Sequence, residues 1–271
     1  MHPTLVFAHA NSYPAGTYAQ LFERWRAAGW RVEAPQRFGH DPRFPVNSNW
    51  SHLRDELGSF VAGLGDGSDP IWLVGHSLGG YLSLMLACRL PERVRGVVML
   101  DSPVVAGWRA HSVQVAKATG LIRRVSPGRI ARRRRPVWPS AEAAAEHFAA
   151  KPLFARWDAA VLADYLGAGL EADPQADVSG GVRLAFDRQI EARIYDTLPH
   201  HLPQLLRRHP PHCPVGFIGG TASREILQVG LSATRALVGP RQRWMEGTHL
   251  FPMERPAETA AMVLELLETM R

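Results

Sequence analysis

A serine flanked by small residues is the first place in this sequence where chemistry is indicated. The segment GHSLGG, residues 75–80, directly follows the apolar run IWLV and precedes a predicted helix. In a G-x-S-x-G pattern between strand and helix the turn is sharp, the glycines let its two arms approach, and the serine hydroxyl is presented above the sheet. Unpaired backbone N–H groups and the helix dipole favour negative charge there. We therefore predict that Ser77 is a nucleophile.

A serine hydroxyl is a weak nucleophile and needs a base. Among twelve histidines, His249 has the most suitable position, in the segment GTHLFPMERP at 247–256. That segment follows the last predicted strand and precedes the last predicted helix, and the strand ends of an α/β sheet carry its ligand-facing residues. We predict that His249 is the general base.

The elements that must position these residues are short apolar strands alternating with helices. Strands are predicted at 4–8, 30–35, 71–75, 96–100, 214–220 and 241–247. Continuous apolar strands of this kind are typical of a parallel sheet buried on both faces. The predicted fold class is α/β, with a mostly parallel sheet of about six strands covered by helices on both faces.

The strand pattern is interrupted between about residues 104 and 202. Helical stretches are predicted there, at 107–124, 140–150, 155–169 and 187–196. We expect residues 1–103 and 203–271 to form the α/β core, and residues 104–202 to form a helical insertion.

Four segments resemble the α/β-hydrolase superfamily with a helical cap. They are VFAHAN (6–11), VGHSLGG (74–80), LDSP (100–103) and GTHLFPMERP. The resemblance covers both core segments and reaches the insertion only in its position and helicity. It implies that Ser77 is the nucleophile, that His249 is the base and that the insertion covers them as a cap. The family's usual first hairpin is not expected here, which leaves about six strands.

The resemblance also implies where an oxyanion would be held. In the family one backbone N–H comes from the loop after an early strand, usually marked His-Gly. Here that loop is His9-Ala10-Asn11. The aligned donors are the backbone N–H groups of Asn11 and Leu78. The Asn11 side chain either adds a hydrogen bond to the oxyanion or, with His9, braces the turn.

The acid that orients the base is not where the family usually carries it. After the strand at 214–220 the loop reads GTASRE, and no aspartate follows Asp196. Asp101 ends the strand beside the nucleophile strand, where some family members carry their acid. Glu225 is the second candidate, although it would also suit the first turn of a helix capped by Ser223. We predict Asp101, with Glu225 or a Ser–His dyad without an acid as alternatives.

These features predict a serine hydrolase that cleaves carboxylic esters of small to medium apolar acyl compounds through an acyl-enzyme. A C–C bond hydrolase or an acyltransferase would use the same triad, and a non-catalytic binding protein could use the same scaffold. The expected partner is a small-molecule substrate, with no metal ion and no organic cofactor. Aromatic and apolar residues of the insertion either line the acyl pocket or form the core of the cap; they are Trp108, Phe148, Phe154, Trp157, Leu162, Tyr165, Leu166 and Tyr195.

The composition excludes several classes of protein. With 271 residues, 46% hydrophobic and 21% charged, the chain is typical of one globular domain with a large insertion. Two cysteines, Cys88 and Cys213, exclude a disulfide framework and a cysteine-rich zinc site, and make the cytoplasm the expected compartment. No secretory signal and no apolar run of about 18 residues is found, so no membrane span is expected.

The net charge of +6 comes mostly from arginine, which supplies 29 of the 31 basic residues. Seven arginines and no acid occur in RRVSPGRIARRRR, residues 123–135. Such a cluster indicates either an anionic partner or a solvated loop and helix end. Because no nucleic-acid-binding module surrounds the cluster, no nucleic acid is expected as a partner. The oligomeric state is left open.

Overall fold

The computed structural model describes residues 2–65, 69–176 and 180–271. Within them the strands are β1 (Thr4–Ala8), β2 (Arg31–Glu33), β3 (Ile71–His76), β4 (Val94–Leu100), β5 (Val137–Trp138), β6 (Leu170–Ala172), β7 (Val182–Leu184), β8 (Val215–Gly220) and β9 (Gln242–Met245). Six strands form one sheet in the order β2-β1-β3-β4-β8-β9, and every pair in it is parallel. Strand β3, which directly precedes Ser77, therefore lies beside β4, as predicted.

The α-helices of the described residues are α1 (Ala19–Ala27), α2 (Ser51–Ala62), α3 (Leu78–Ala87), α4 (Gly107–Ala118), α5 (Ile122–Val125), α6 (Gly128–Ala131), α7 (Ala141–Ala149), α8 (Ala159–Gly169), α9 (Arg188–Asp196), α10 (Leu202–Arg208), α11 (Arg224–Val229), α12 (Ser232–Val238), α13 (Phe251–Glu254) and α14 (Pro256–Glu268). Short 3₁₀ turns lie at Ala15–Tyr18, Ser48–Trp50 and Phe154–Arg156. Helix α14 begins at Pro256. The first residue of a helix has no partner within the helix for its N–H, so proline, which lacks this group, fits there.

Helices cover both faces of the sheet because successive strand residues point to opposite sides. Leu5 and Phe7 of β1 belong to a buried cluster with α1 and α14. Val6 and Ala8 of the same strand belong to a second cluster with α2 and α3. The predicted α/β class, with about six strands in a parallel sheet between two helical layers, is confirmed.

Residues 104–202 contain more than the predicted helices. Besides α4–α9, this stretch holds the strands β5, β7 and β6, which form a small antiparallel sheet. Each strand is only two or three residues long, so no periodic apolar run marks it in the sequence. The helix predicted over 107–124 is two helices, because Gly120 has φ +72° and ends the first.

The insertion packs on the core through aromatic side chains. Four of them lie in the same buried cluster as Phe7 and Trp25 of the core: Phe148, Phe154, Trp157 and Tyr165. The 3₁₀ turn at Ala15–Tyr18 contacts α8 closely, and a Cβ on Gly16 would lie 2.5 Å from the Cβ of Ala168. Core and insertion thus share one hydrophobic interior.

Among the described residues, no helix combines the length and the apolar character that crossing a membrane requires. Cys88 and Cys213 are both free thiols.

Candidate active site

Ser77 lies on a strained turn between β3 and α3. Its backbone has φ +53° and ψ −115°, a conformation that side-chain-bearing residues rarely adopt, and its N–H donates to Leu100 O at 2.9 Å. A Cβ on Gly75 would lie 2.2 Å from Gly79 O, and one on Gly79 would lie 1.9 Å from Ala8 O. The absence of a side chain at Gly75 thus lets the two arms of the turn approach, as predicted, whereas at Gly79 it lets α3 approach β1.

His249 and Asp101 are in direct contact. His249 Nδ1 lies 2.8 Å from Asp101 Oδ1. A carboxylate accepts, so Nδ1 carries the proton and Nε2 is left free. The Asp101 carboxylate is fixed by two further donors, Ser223 Oγ at 2.6 Å on Oδ1 and Gly220 N at 2.7 Å on Oδ2. Asp101 itself has φ +45°, so its backbone is also held in a sparsely populated region.

Glu225, the second candidate acid, lies further from the base. Its Oε2 is 3.9 Å from His249 Nδ1. Ser223 caps α11 by accepting from Ile226 N at 3.2 Å, and Glu225 stands in the first turn of that helix, as its alternative role predicts. Of the two carboxylates, only that of Asp101 is within hydrogen-bond distance of the ring.

The environment of His249 favours its protonated form. Burial lowers the pKa of this imidazole, but the hydrogen bond and the negative charge of Asp101 raise it, and Glu225 raises it further. The balance holds the pKa of His249 above its ordinary value. This is the behaviour expected of a base whose imidazolium form is stabilised by a neighbouring carboxylate.

The two backbone N–H groups that are predicted to hold the oxyanion are not used by any described acceptor in the protein. Among the described residues, the backbone N–H groups of Asn11 and Leu78 make no hydrogen bond. The Asn11 side chain has a different role, because its Nδ2 donates to Glu191 O of α9 at 3.1 Å. That side chain ties the loop after β1 to the insertion.

A buried hydrogen-bond relay connects the loop after β1 to the backbone carbonyl of His249. Ala10 N–H donates to Tyr18 Oη at 3.2 Å, and the Tyr18 hydroxyl donates its own proton to His76 Nδ1 at 2.7 Å, because Nε2 carries the single proton of the neutral His76 ring. His76 Nε2 then donates to His249 O at 2.8 Å. Burial lowers the pKa of His76 to about 3, which keeps the ring neutral, as this direction of donation requires. The sequence does not predict these contacts of Tyr18 and His76, or the bond from Ser223 to Asp101, because they join residues far apart in the chain.

Ser77 and His249 open onto a common cavity of about 580 Å³. Its walls come from the core and from the insertion: Ala10, Asn11, Tyr13, Ser77, Pro152, Leu153, Arg156, Tyr195, Ala222, Arg224, Glu225, Thr248, His249 and Leu250. Ser77 Oγ and His249, both among the described residues, do not form a hydrogen bond with each other. Such a bond is often long in a free enzyme and shortens only when the substrate binds.

Of the insertion residues considered as pocket walls, only Tyr195 lines this cavity. Trp108 lies on the surface with 70% of its area exposed. The others pack in the interior of the insertion: Phe148, Phe154, Trp157, Leu162, Tyr165 and Leu166.

Within the described ranges, one group of residues has donor atoms close enough together to hold a metal ion. It consists of Asp101, Glu225 and His249, whose donor atoms lie within 4.8 Å of one another. Two of these residues, His249 and Asp101, already bond to each other through Nδ1 and Oδ1. The arrangement therefore suits proton transfer better than metal ligation.

Comparison with known proteins finds one matching family model and relatives of low sequence identity. A model of the alpha/beta hydrolase family matches residues 5–262. A carbendazim hydrolyzing esterase of Nocardioides sp. is 31% identical over 101 residues, which are 36% of this chain and 40% of that protein. The monoglyceride lipase of Mus musculus is 29% identical over 129 residues, which are 45% of this chain and 43% of that protein. The chain thus spans about two fifths of the length of these curated relatives.

The fold is also that of a solved hydrolase structure. E-2-(acetamidomethylene)succinate hydrolase superposes with a TM-score of 0.74 at 19% identity, over 98% of this chain and 91% of that one. At this identity the match concerns the fold alone.

Proposed function

The chain belongs to the alpha/beta hydrolase family, and we propose that it hydrolyses carboxylic esters with Ser77 as the nucleophile. His249 Nε2 removes the hydroxyl proton as Ser77 Oγ attacks the ester carbonyl. The backbone N–H groups of Asn11 and Leu78 stabilise the oxyanion of the tetrahedral intermediate. The alcohol leaves with the proton from His249, and water, activated by the same base, hydrolyses the acyl-enzyme.

The observation that carries this proposal is the 2.8 Å contact between His249 Nδ1 and Asp101 Oδ1 at the wall of a cavity that also contains Ser77. The contact fixes the tautomer that leaves Nε2 free to accept a proton. It also places a negative charge where it stabilises the imidazolium formed during attack. We assign the role of acid to Asp101 on this ground.

We also propose that residues 104–202 act as a cap that helps to select the acyl group. The insertion contributes Leu153, Arg156 and Tyr195 to the cavity, facing Ser77 of the core. The apolar and aromatic part of the wall, formed by Tyr13, Leu153, Tyr195 and Leu250, suits small to medium apolar acyl groups. The printed names of the two curated relatives, an esterase and a lipase, support ester chemistry in general.

A series of p-nitrophenyl esters of rising acyl length tests the proposal. For the wild-type protein, the highest kcat/KM of the series should belong to the acetate, the butyrate or the octanoate. The palmitate should be hydrolysed poorly. The Ser77→Ala variant should lose activity by a factor of about 10⁴ or more. Ser83→Ala is the matched control, since this buried serine lies on helix α3, which directly follows Ser77, and its hydroxyl has no described partner. Equal activity of Ser77→Ala and Ser83→Ala would exclude Ser77 as the nucleophile.

A further inference from the structure

Residues 102–141 carry nine arginine and lysine residues and no acidic residue. Three of these cations are used inside the fold. Arg132 pairs with Asp196, Arg134 pairs with Glu191 at 2.8 Å, and Lys117 Nζ donates to Leu198 O at 3.0 Å. The six others make no ion pair with a described residue: Arg109, Arg123, Arg124, Arg129, Arg133 and Arg135.

Large apolar side chains project into solvent between these arginines. Trp108 is 70% exposed and Ile130 is 68% exposed, and Val115 and Leu121 are about half exposed. Trp108 and Val115 are seven residues apart on α4 and so lie on one side of that helix. The guanidinium of Arg109 lies over the Trp108 ring, 4.8 Å from its centre. We call the outward sides of α4, α5 and α6 the basic apolar surface.

A missing contact within the protein does not explain why this surface is exposed. Helix α6 already packs inward on α9, where a Cβ on Gly128 would lie 2.8 Å from Ala192 O. Arg129 and Ile130 on the same short helix are exposed. The inward side of α6 thus contacts α9, while Ile130 on its other side stays exposed, as Trp108, Val115 and Leu121 do. A group of exposed large apolar side chains is a candidate contact surface for an external partner.

We propose that the basic apolar surface docks on the surface of an anionic lipid bilayer. Arginines near a bilayer are attracted to anionic headgroups, and each adds to the binding. Separate protruding side chains such as Trp108, Leu121 and Ile130 can each enter the boundary between headgroups and acyl chains, while the arginine side chains stay at the headgroups. A nucleic acid would satisfy the arginines but not the aliphatic side chains, because single-stranded binding uses aromatic platforms for bases and only Trp108 could supply one.

Co-sedimentation of the full chain with vesicles tests this docking. The wild-type protein should bind vesicles of 70% phosphatidylcholine and 30% phosphatidylglycerol at low salt, at least tenfold more strongly than vesicles of phosphatidylcholine alone. Binding should weaken at high salt. Equal binding to both compositions, or binding to duplex DNA and not to vesicles, would overturn the proposal. The Ser77→Ala variant should bind as the wild type does, so that the result is independent of the proposed ester hydrolysis.

Two sets of four substitutions separate this surface from overall charge. Arg123, Arg124, Arg129 and Arg133, all changed to Gln, should reduce vesicle binding at least tenfold. The matched control changes to Gln four exposed arginines that lie near the amino ends of the strands of the large sheet: Arg89, Arg95, Arg207 and Arg208. It removes the same charge and should bind within about twofold of wild type. Loss of binding in the control alone, or equally in both sets, would overturn the assignment to this surface.

Tryptophan fluorescence distinguishes insertion from simple electrostatic adsorption. Because Trp108 is 70% exposed, its emission should shift to shorter wavelength when vesicles are added. The shift should disappear in Trp108→Leu and persist in Trp244→Leu, which removes another exposed tryptophan, 43% exposed, on β9. A shift that persists in Trp108→Leu, or that is absent from vesicle-bound wild type, would overturn insertion at this surface.

Discussion

At the scale of single residues, the site depends on how Asp101 is held. Its carboxylate accepts from His249, from Ser223 and from the N–H of Gly220, while its own φ of +45° is one that aspartate rarely adopts. Three donors on one side chain fix both oxygens, so the carboxylate cannot turn away from the ring. A strained conformation maintained by several partners in this way is typical of functional positions.

Asp101→Asn should lower kcat by up to about 10⁴, as the corresponding change does in a serine protease. The N–H of Gly220 can only donate, so it favours the amide oxygen at the Oδ2 position and leaves the NH₂ at the Oδ1 position, facing His249 Nδ1, while the Ser223 hydroxyl can turn to accept. That nitrogen would then have to accept, which places the imidazole proton on Nε2, where it blocks proton removal from Ser77. Glu225→Gln is the matched control and should retain most of the activity. A large loss in Glu225→Gln with near-normal Asp101→Asn would reassign the acid.

The pH dependence of kcat/KM should reflect the raised pKa of His249. The base works only when neutral, so activity should fall as the pH drops through a pKa above the ordinary histidine value of about 6.5. Glu225→Gln removes a negative charge 3.9 Å from Nδ1 that stabilises the imidazolium, so its acid limb should move to lower pH. An acid limb that stays in place or moves to higher pH in this variant would contradict the electrostatic account. A pH series of kcat/KM for wild type and variant measures this.

Tyr18→Phe should lower kcat about tenfold with little change in KM, because the relay holds Ala10, which precedes the oxyanion donor Asn11. It should also lower the free energy of unfolding by about 1–3 kcal/mol, since Ala10 N–H loses its acceptor in a buried place. Tyr165→Phe is the control, since it removes a buried tyrosine hydroxyl that accepts from Arg134 in the insertion. Its stability should fall while kcat stays near wild type. Equal kcat losses in both variants would mean that Tyr18 acts only through stability.

At the scale of elements, the contact between the Ala15–Tyr18 turn and α8 joins core and insertion. Gly16→Ala should lower the free energy of unfolding by about 1–3 kcal/mol, because the added methyl would lie 2.5 Å from the Cβ of Ala168. In an Ala168→Gly background, which alone costs about 1 kcal/mol of helix propensity, the same change should cost much less. Urea unfolding of the four proteins in this cycle measures the coupling. Additive effects would show that the two elements do not press on each other.

The sequence predicts those elements whose signals are local. The turn at Ser77 and the strand end at Asp101 each follow from an apolar run and the residues directly after it. The loop at His249 follows from its position between the last predicted strand and the last predicted helix. The sequence does not predict the break between α11 and α12 at Gly230, since one glycine inside a helical pattern does not show that its φ will be +76°.

Long-range contacts set the features that the sequence does not predict. Arg134 belongs to the arginine cluster, yet it is paired with Glu191, 57 residues further along the chain. Nothing near Arg134 in the sequence distinguishes it from Arg133, which is exposed. The aromatic residues of the insertion present the same ambiguity between core and cavity wall, because helical spacing identifies a buried side of a helix but not what lies against that side.

At the scale of the whole molecule, parallel pairing brings the proposed site together. Ser77, Asp101 and His249 each follow the carboxyl end of a different strand, and Asn11 follows a fourth. All strands of the sheet point the same way, so residues far apart in sequence meet at one edge of the sheet. The insertion contributes Leu153, Arg156 and Tyr195 to the cavity at that edge and shares the hydrophobic interior of the core.

The most direct test of the central claim, that Ser77 is an activated nucleophile, is covalent labelling with a fluorophosphonate followed by mass spectrometry of the intact chain and its peptides. The wild-type protein should gain one label per chain, on the peptide that contains Ser77. Ser77→Ala should gain none, and His249→Ala should react far more slowly because the hydroxyl then lacks its base. An unlabelled wild-type protein, or a label on any other residue, would contradict the claim.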